Sequence, residues 1–147
     1  MNSLIKKLEE YYIEKGWNAE AEEQRNRLCV KQTIETADGV RDLDIFIEPD
    51  KIDYRRYRYI CYGLGGLPEV TDADLEKVKA FNGAQKEMRM HLDENRAAFL
   101  MSEHVFTRIK PNDIGADIIE EAVSVVSSFD DFIKNHYPLL KETLRCL

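Results

Sequence analysis

The sequence has few of the features that identify secreted, membrane-spanning or nucleic-acid-binding proteins. Its three cysteines, Cys29, Cys61 and Cys146, lie far apart in 147 residues and form no C-x-x-C pair. A disulfide framework or a cysteine-rich zinc site is therefore not expected. No apolar run approaches the roughly 18 residues that a membrane-spanning helix needs, so we predict no membrane segment.

Positive charge is also scarce relative to negative charge. The chain has 21 Lys and Arg residues against 28 Asp and Glu residues, which gives a formal net charge of −7. Because affinity for nucleic acid comes largely from Lys and Arg neutralising phosphates, this balance argues against general nucleic-acid binding. Near the amino terminus, Lys6 and Lys7 are followed by acidic residues where a signal peptide has its apolar region, so we predict a cytoplasmic protein.

The overall composition is that of an ordinary globular protein. Hydrophobic residues make up 44% of the chain and charged residues 33%, which is enough apolar side chain for a packed core. The length fits one domain, and no internal repeat or linker interrupts the sequence. We therefore predict a single domain over residues 1–147.

Three stretches show apolar residues at every third or fourth position, which is typical of amphipathic helices. The predicted helices are Ser3 to Lys15, Asp72 to Phe81 and Asn112 to Tyr137. Asn112 or Asp113 is the predicted cap of the last helix, and Thr71 with Asp74 matches a capping box before the second. Pro138 lacks an amide donor, so we expect it to kink the last helix or to start a final turn.

Five further stretches have the alternating pattern or the turn-bounded composition of strands. They are Leu28 to Thr36, Val40 to Glu48, about Arg56 to Gly63, Lys86 to Leu92 and Ala97 to Met101. The Asp38-Gly39 pair predicts a hairpin between the first two. The polar stretch Asn18 to Arg27 is predicted to be a loop, and Trp17 is predicted to plug the core. The order α-β-β-β-α-β-β-α predicts an α+β fold with a mainly antiparallel twisted sheet packed with helices.

Three local patterns in this order point to a known group of proteins. The second helix ends in Asn82-Gly83 before a strand, and the hairpin Met88–Met101 turns at an acidic tip. The last helix ends in Phe132-Ile133-Lys134-Asn135-His136-Tyr137-Pro138-Leu139-Leu140, similar to a D-x-Y-x-P-L-L ending. With these features the chain resembles the fold of type III secretion chaperones and, more closely, the YbjN family of bacterial proteins.

This resemblance implies a protein-binding role. Such folds are generally non-enzymatic, often form homodimers and offer apolar surface to another protein chain. The resemblance brings no catalytic, cofactor-binding or metal-binding residue with it. It therefore implies a homodimeric interaction module, chaperone-like or regulatory, with an unknown protein partner.

The strand Arg56 to Tyr62 has the most conspicuous local composition and allows two interpretations. Its arginines and tyrosines match a binding platform, in which rings stack and guanidinium groups hold phosphate or carboxylate. Alternatively, the tyrosines lie in the core and the arginines pair with acids on the neighbouring strand, Asp42, Asp44 and Glu48. A small-ligand sensor that uses this strand is a further alternative.

The methionines of the later hairpin also leave two possibilities. Met88, Met90 and Met101 could line an exposed sheet face that holds an extended peptide, or they could face the last helix as core. Candidate partner-binding residues from both stretches are Arg56, Tyr57, Arg58, Tyr59, Tyr62, Met88 and Met90.

One enzyme hypothesis comes from Asp42 and Asp44. Two aspartates at i and i+2 point to the same side of a strand, as a metal-dependent nucleotidyltransferase requires to hold Mg²⁺. Such enzymes also have a Gly-Ser phosphate-gripping turn followed by a helix just upstream, which this sequence lacks. We therefore predict a non-enzymatic protein with no cofactor, and keep this activity as the alternative.

The remaining reactive side chains do not form a recognisable motif. The histidines, His91, His104 and His136, are scattered and have no cysteine nearby to complete a zinc site. Cys29 and Cys61 fall within predicted strands, and we expect them to be buried thiols.

Overall fold

The computed structural model describes residues 2–67 and 69–144. Its helices are α1 (Ser3–Glu14), α2 (Asp72–Ala84), α3 (Ala116–Asn135) and α4 (Tyr137–Thr143). Its strands are β1 (Asn18–Glu22), β2 (Arg27–Thr36), β3 (Gly39–Pro49), β4 (Arg56–Tyr62), β5 (Arg89–Leu92) and β6 (Ala98–Val105). A short 3-10 helix, Glu23–Arg25, joins β1 to β2. None of the described helices combines the length and apolar character needed to cross a membrane.

The six strands form one sheet in the order β1-β2-β3-β4-β6-β5, and every neighbouring pair is antiparallel. The predicted α+β class with an antiparallel sheet is confirmed. The predicted loop at Asn18 to Arg27 is wrong, because β1 lies within it. Its side chains alternate as a strand requires, but the inward residues are only Ala19 and Ala21, so the hydrophobic pattern was too weak to recognise.

One of the two capping predictions is confirmed. The Asn2 side chain accepts from the Leu4 and Ile5 amides at the start of α1, and Thr71 with Asp74 forms the predicted capping box of α2. The predicted start of the long helix at Asn112 or Asp113 is wrong. The Asp113 amide instead bonds the Lys110 carbonyl over 3.1 Å in a turn, and α3 begins only after Gly115.

The helices cover one face of the sheet, which we call the core face. Inward side chains of the central strands, among them Ile45, Ile47 and Tyr59, are fully buried with apolar residues of α1 and α3. The Tyr59 hydroxyl donates to the Ala122 carbonyl of α3 over 3.3 Å. Each such aliphatic side chain contributes about 1.5–3 kcal/mol on burial, so this layer accounts for much of the stability.

Trp17 lies outside the core, contrary to the prediction. Gly16, at φ 77°, turns the chain directly from α1 into β1, and the Trp17 side chain remains 48% exposed. Its ring centroid is 5.8 Å from that of Tyr12, which fills the space beneath it and is itself buried. Trp17 thus borders a surface cavity of about 330 Å³ with Asp130 of α3.

Candidate functional site

The face of the sheet opposite the helices, here called the outer face, carries the candidate site. Successive side chains of a strand point to opposite faces, so the neighbours of the buried residues in β2, β3, β4 and β6 point outward. Phe46, Ile60, Tyr62, Phe99 and Met101 are the large apolar side chains among them, and all five are half-buried, not buried. An antiparallel sheet whose solvent face carries so many large apolar groups is unusual, because that face is normally polar.

Four rings form a continuous aromatic row across β3, β4, β6 and β5. The ring centroids are 6.1 Å apart for Phe46 and Tyr62, 5.2 Å for Tyr62 and Phe99, and 5.3 Å for Phe99 and His91. At the other end the Arg27 guanidinium lies 4.0 Å from the Phe46 ring centroid. Pairs at these distances stabilise one another, so the row is a preformed, rigid surface.

A second row lies directly beside it and is set by strand register alone. Cys29 pairs with Phe46, Phe46 with Ile60, and Ile60 with Met101, so four apolar residues stand side by side on β2, β3, β4 and β6. Glu20 extends this row on β1 and Arg89 extends it on β5. The middle of the outer face is therefore apolar, and its two lateral ends carry opposite charges.

Three arginines of the outer face, Arg27, Arg56 and Arg58, are paired with acids. Arg58 lies 3.6 Å from Glu48, Arg56 lies 3.0 Å from Glu103, and Arg27 lies 3.4 Å from Glu48. These partners neutralise the guanidinium charge, so the platform lacks the positive field that phosphate binding requires. The prediction that the arginines of β4 pair across the sheet is confirmed for Arg58 and Glu48.

The structure divides the seven candidate partner-binding residues between the two faces. Arg56, Arg58 and Tyr62 lie on the outer face. The other four are in the core, with exposures between 0% and 4%: Tyr57, Tyr59, Met88 and Met90. Burial raises the pKa of both buried tyrosines, so they stay neutral. These four cannot contact a partner without opening the core, and we leave them out of the site.

Most members of the site carry no motif in the sequence. Phe46, Ile60 and Phe99 are not among the candidate residues, and His91 belongs to no recognisable motif. Tyr62 was singled out, but only the strand register shows that Phe46 and Phe99 flank it. One signal in the sequence could have indicated the site. Several strands carry large apolar residues at the outward positions as well as at the inward ones.

Asp42 and Asp44 do lie on the same side of β3, but their surroundings are those of surface residues. Asp42 accepts a hydrogen bond from the Thr33 hydroxyl over 3.0 Å, and an Asp44 oxygen lies 3.9 Å from the Lys31 ammonium. Within residues 2–67 and 69–144, no three Cys, His, Asp or Glu side chains come close enough together to hold a metal ion. The described part of the chain therefore supplies two carboxylates here, each already in contact with another side chain.

The two described thiols are buried, as predicted. Burial raises the pKa of Cys61 to about 12 and that of Cys29 to about 11. Because the thiolate is the reactive form, both cysteines are poor nucleophiles at neutral pH. Cys146 lies outside the described residues.

The three histidines lie apart, as the sequence suggested. His104 contacts Glu121 over 2.6 Å, His136 stacks on Phe132, and His91 belongs to the aromatic row. Each ring therefore packs against its own neighbours, and the three do not form one site.

No family model matches the sequence, and no curated protein matches it either. Among solved structures, the chain is similar in fold to a chain in the crystal structure of the ExsC-ExsE complex, with a TM-score of 0.54 and 10% sequence identity, over 92% of this chain and 96% of that chain. At this identity the likeness establishes the fold alone, and it confirms the secretion-chaperone-like arrangement predicted from the sequence. Membership of the YbjN family stays a prediction.

Proposed function

We propose that this chain is a non-enzymatic protein-interaction module of the chaperone-like type, whose outer face binds another polypeptide chain. The observation that carries the proposal is the aromatic row Phe46, Tyr62, Phe99 and His91, which lies on the sheet face without helices. Aromatic residues and methionine are enriched in protein–protein interfaces, where they supply most of the binding energy.

The outer face has the dimensions of a protein interface. Six strands spaced about 4.8 Å apart span about 24 Å, and six residues along a strand span about 20 Å. The projected area is then roughly 500 Å², and the ridged side chains add to it, against about 800 Å² per partner in a standard interface. Such a broad, gently twisted surface fits another protein better than it fits a small ligand, which prefers a concave pocket.

The nature of the charges supports a polypeptide partner. The arginines Arg56 and Arg58 are held by Glu103 and Glu48, and acids alternate with bases from one strand to the next across the sheet. Mixed charges around an apolar centre are the pattern of an interface rim, which sets orientation and specificity. The structural neighbour, a chain of the ExsC-ExsE complex, also belongs to an assembly of two proteins. A cytoplasmic location is part of this proposal.

Site-specific photo-crosslinking in cells tests the proposal. A photo-reactive phenylalanine analogue replaces Tyr62 on the outer face or, as the control, Ile13 on α1, which is 58% exposed and lies on the helix side. We expect one defined protein adduct from the Tyr62 position and at least about fivefold less from the Ile13 position, since apolar interface centres are the contact points. Adding Met101→Asp to the Tyr62 probe should remove the adduct. Equal or absent crosslinking at both positions would contradict the proposal.

A further inference from the structure

We propose that the cavity bordered by Trp17 and Asp130 binds a small zwitterion of the α-amino acid type, with an ammonium group, a carboxylate group and an apolar side chain. This proposal goes beyond the proposed function and does not depend on it, because the cavity contains no residue of the aromatic row. It rests on the shape of the cavity, on a shielded carboxylate oxygen, on an exposed indole ring and on the two charges in the lining.

The cavity lies at a step in the edge of the sheet. β1 begins at Asn18, which pairs with Lys31 of β2, whereas β2 itself continues to Thr36. Beside this step lies the hollow of about 330 Å³, and its lining includes Trp17, Lys31, Gln32, Ser127 and Asp130. This volume is at the small end of the range for ligand pockets, so the cavity fits a molecule of amino-acid size better than a larger cofactor.

The carboxylate of Asp130 provides the contact for the ammonium group. Its Oδ1 is shielded from solvent, and no donor among the described residues hydrogen-bonds to it. The other oxygen, Oδ2, lies 3.4 Å from the Lys134 ammonium one turn further along α3. A carboxylate oxygen that has neither water nor a donor is costly, so a bound donor would stabilise this arrangement. Because the terminal torsion of an aspartate is soft, the carboxylate can turn either oxygen towards the cavity.

The indole ring of Trp17 provides an apolar wall. It contacts the buried ring of Tyr12, with 5.8 Å between the centroids, and still remains 48% exposed where it borders the cavity. An indole offers a large apolar surface to an alkyl side chain, and its face also attracts a nearby ammonium group. Trp17 would therefore cover the side chain of the ligand while Asp130 accepts hydrogen bonds from its ammonium group.

The charges of the cavity favour a zwitterion over an ion of one sign. Among the described residues, its lining holds one acid, Asp130, and one base, Lys31. The Lys31 ammonium lies 3.9 Å from Asp44, and both side chains are largely exposed, so this contact is weak and leaves the lysine available to a ligand. A simple amine would meet Lys31 as a like charge, and a simple carboxylic acid would meet Asp130. An amino acid presents an opposite charge to each.

Fluorescence titration tests the proposal, because Trp17 is the only tryptophan of the chain and borders the cavity. Leucine is the probe, and its matched analogues are 3-methylbutylamine, which lacks the carboxylate, and 4-methylpentanoate, which lacks the ammonium group. We expect leucine to change the Trp17 emission saturably with a Kd below about 1 mM, and each analogue to bind at least about tenfold more weakly. An emission that shows no saturable change up to about 10 mM leucine, or an analogue that binds as tightly as leucine, would overturn the proposal.

Variants measured by isothermal titration calorimetry place the ligand in the cavity. Asp130→Asn keeps the shape of the side chain and removes its charge, so it should weaken leucine binding by about tenfold or more. Asp131→Asn removes the same charge at the next, exposed position of α3 and should stay within about twofold of the wild type. Lys31→Gln should weaken leucine binding without weakening that of 3-methylbutylamine. Equal affinities of the two aspartate variants for leucine would overturn the proposal.

Discussion

The side chain of Asn82, near the end of α2, pairs with both backbone polar groups of Met90 in β5. Its Nδ2 donates to the Met90 carbonyl over 3.0 Å, and its Oδ1 accepts from the Met90 amide over 2.7 Å. The pair fixes α2 against the edge of the sheet and holds the buried Met90 side chain in the core. The Asn-Gly at the end of the second helix thus has a structural purpose beyond ending the helix.

Replacing this amide should destabilise the fold without changing the outer face. We expect Asn82→Ala to lower the free energy of unfolding by about 1–3 kcal/mol, because two backbone groups lose their partner. Urea unfolding followed by circular dichroism measures the change. Lys79→Ala, at an exposed position of the same helix, is the control and should stay within about 0.5 kcal/mol of the wild type. Equal effects from the two variants would contradict this role for Asn82.

Two glycines should respond to alanine in opposite directions. Gly63 has φ 116°, and a Cβ there would clash with the Asp42 carbonyl oxygen, so Gly63→Ala should cost about 2–4 kcal/mol. Gly83 lies in α2 with open space around it, so Gly83→Ala should stabilise the protein by up to about 1 kcal/mol. The melting temperatures of both variants test this prediction. If Gly83→Ala lowered the melting temperature as much as Gly63→Ala, the prediction of opposite effects would be wrong.

The contact between Asp38 and Lys141 should make stability depend on pH. The Lys141 ammonium lies 2.6 Å from an Asp38 oxygen, and the Tyr137 hydroxyl donates to Asp38 over 3.1 Å. The hydrogen bond from Lys141, followed by that from Tyr137, lowers the pKa of Asp38, and the contact raises the pKa of Lys141. The stabilisation is therefore full at neutral pH, is lost as the pH falls through the lowered pKa of Asp38, and is lost again as the pH rises through the raised pKa of Lys141.

Asp38→Asn tests this linkage. We expect the variant to unfold at a lower urea concentration than the wild type at pH 7, with the difference fading as the pH falls through the lowered pKa of Asp38 and the wild-type carboxyl becomes neutral. Asp113→Asn, at an exposed position outside this contact, controls for the change in net charge. A difference between Asp38→Asn and the wild type that persists unchanged in acid would show that charge is not its source.

The two described thiols should differ in reactivity. The pKa values of about 11 for Cys29 and about 12 for Cys61 both come mainly from burial, and only Cys29 lies on the outer face. Both thiols are almost wholly protonated at pH 8, and Cys61 is 0% exposed in the core, so Cys29 should react faster with a maleimide. Peptide mass spectrometry separates the two sites. Labelling of Cys61 at the same rate as Cys29 would show that the core opens more readily than its burial suggests.

The nucleotidyltransferase alternative predicts a ligand effect that we do not expect. If Asp42 and Asp44 held Mg²⁺ against a nucleotide, ATP with Mg²⁺ would raise the free energy of unfolding. The increase would be about 2.7 kcal/mol at a ligand concentration a hundredfold above the dissociation constant. Since Asp42 is bonded to Thr33 and Asp44 lies beside Lys31, we expect no shift in melting temperature. A shift that Asp44→Asn abolishes would revive the enzyme hypothesis.

The sequence predicted those helices and strands in which the spacing of apolar residues matches the face that is buried in the fold. The α1 stripe, the Asp38-Gly39 hairpin and the alternation of Leu43, Ile45 and Ile47 all follow from the spacing of apolar residues, and each is present. The same alternation allowed buried positions for Tyr57 and Tyr59 as one of two interpretations, and both side chains lie in the core. These features depend on residues close in sequence, which a single chain displays directly.

The features that the sequence did not reveal depend on contacts between distant residues. The strand β1 is held by its pairing with β2, since Ala19 and Ala21 bury little apolar surface of their own. The aromatic row requires the register of β3, β4 and β6, which brings Phe46 and Phe99 to either side of Tyr62. No local pattern fixes that register, so the site could be assembled only from the structure.

Both edges of the sheet are occupied by side chains from the helices. The carboxylate of Glu9 in α1 accepts from the Ala21 amide of β1, and Asn82 takes both backbone groups of Met90 in β5. An incoming strand needs free backbone donors and acceptors at an edge, so these two residues obstruct β-strand addition at both ends. These contacts therefore oppose the edge-to-edge strand pairing by which sheets grow into fibres.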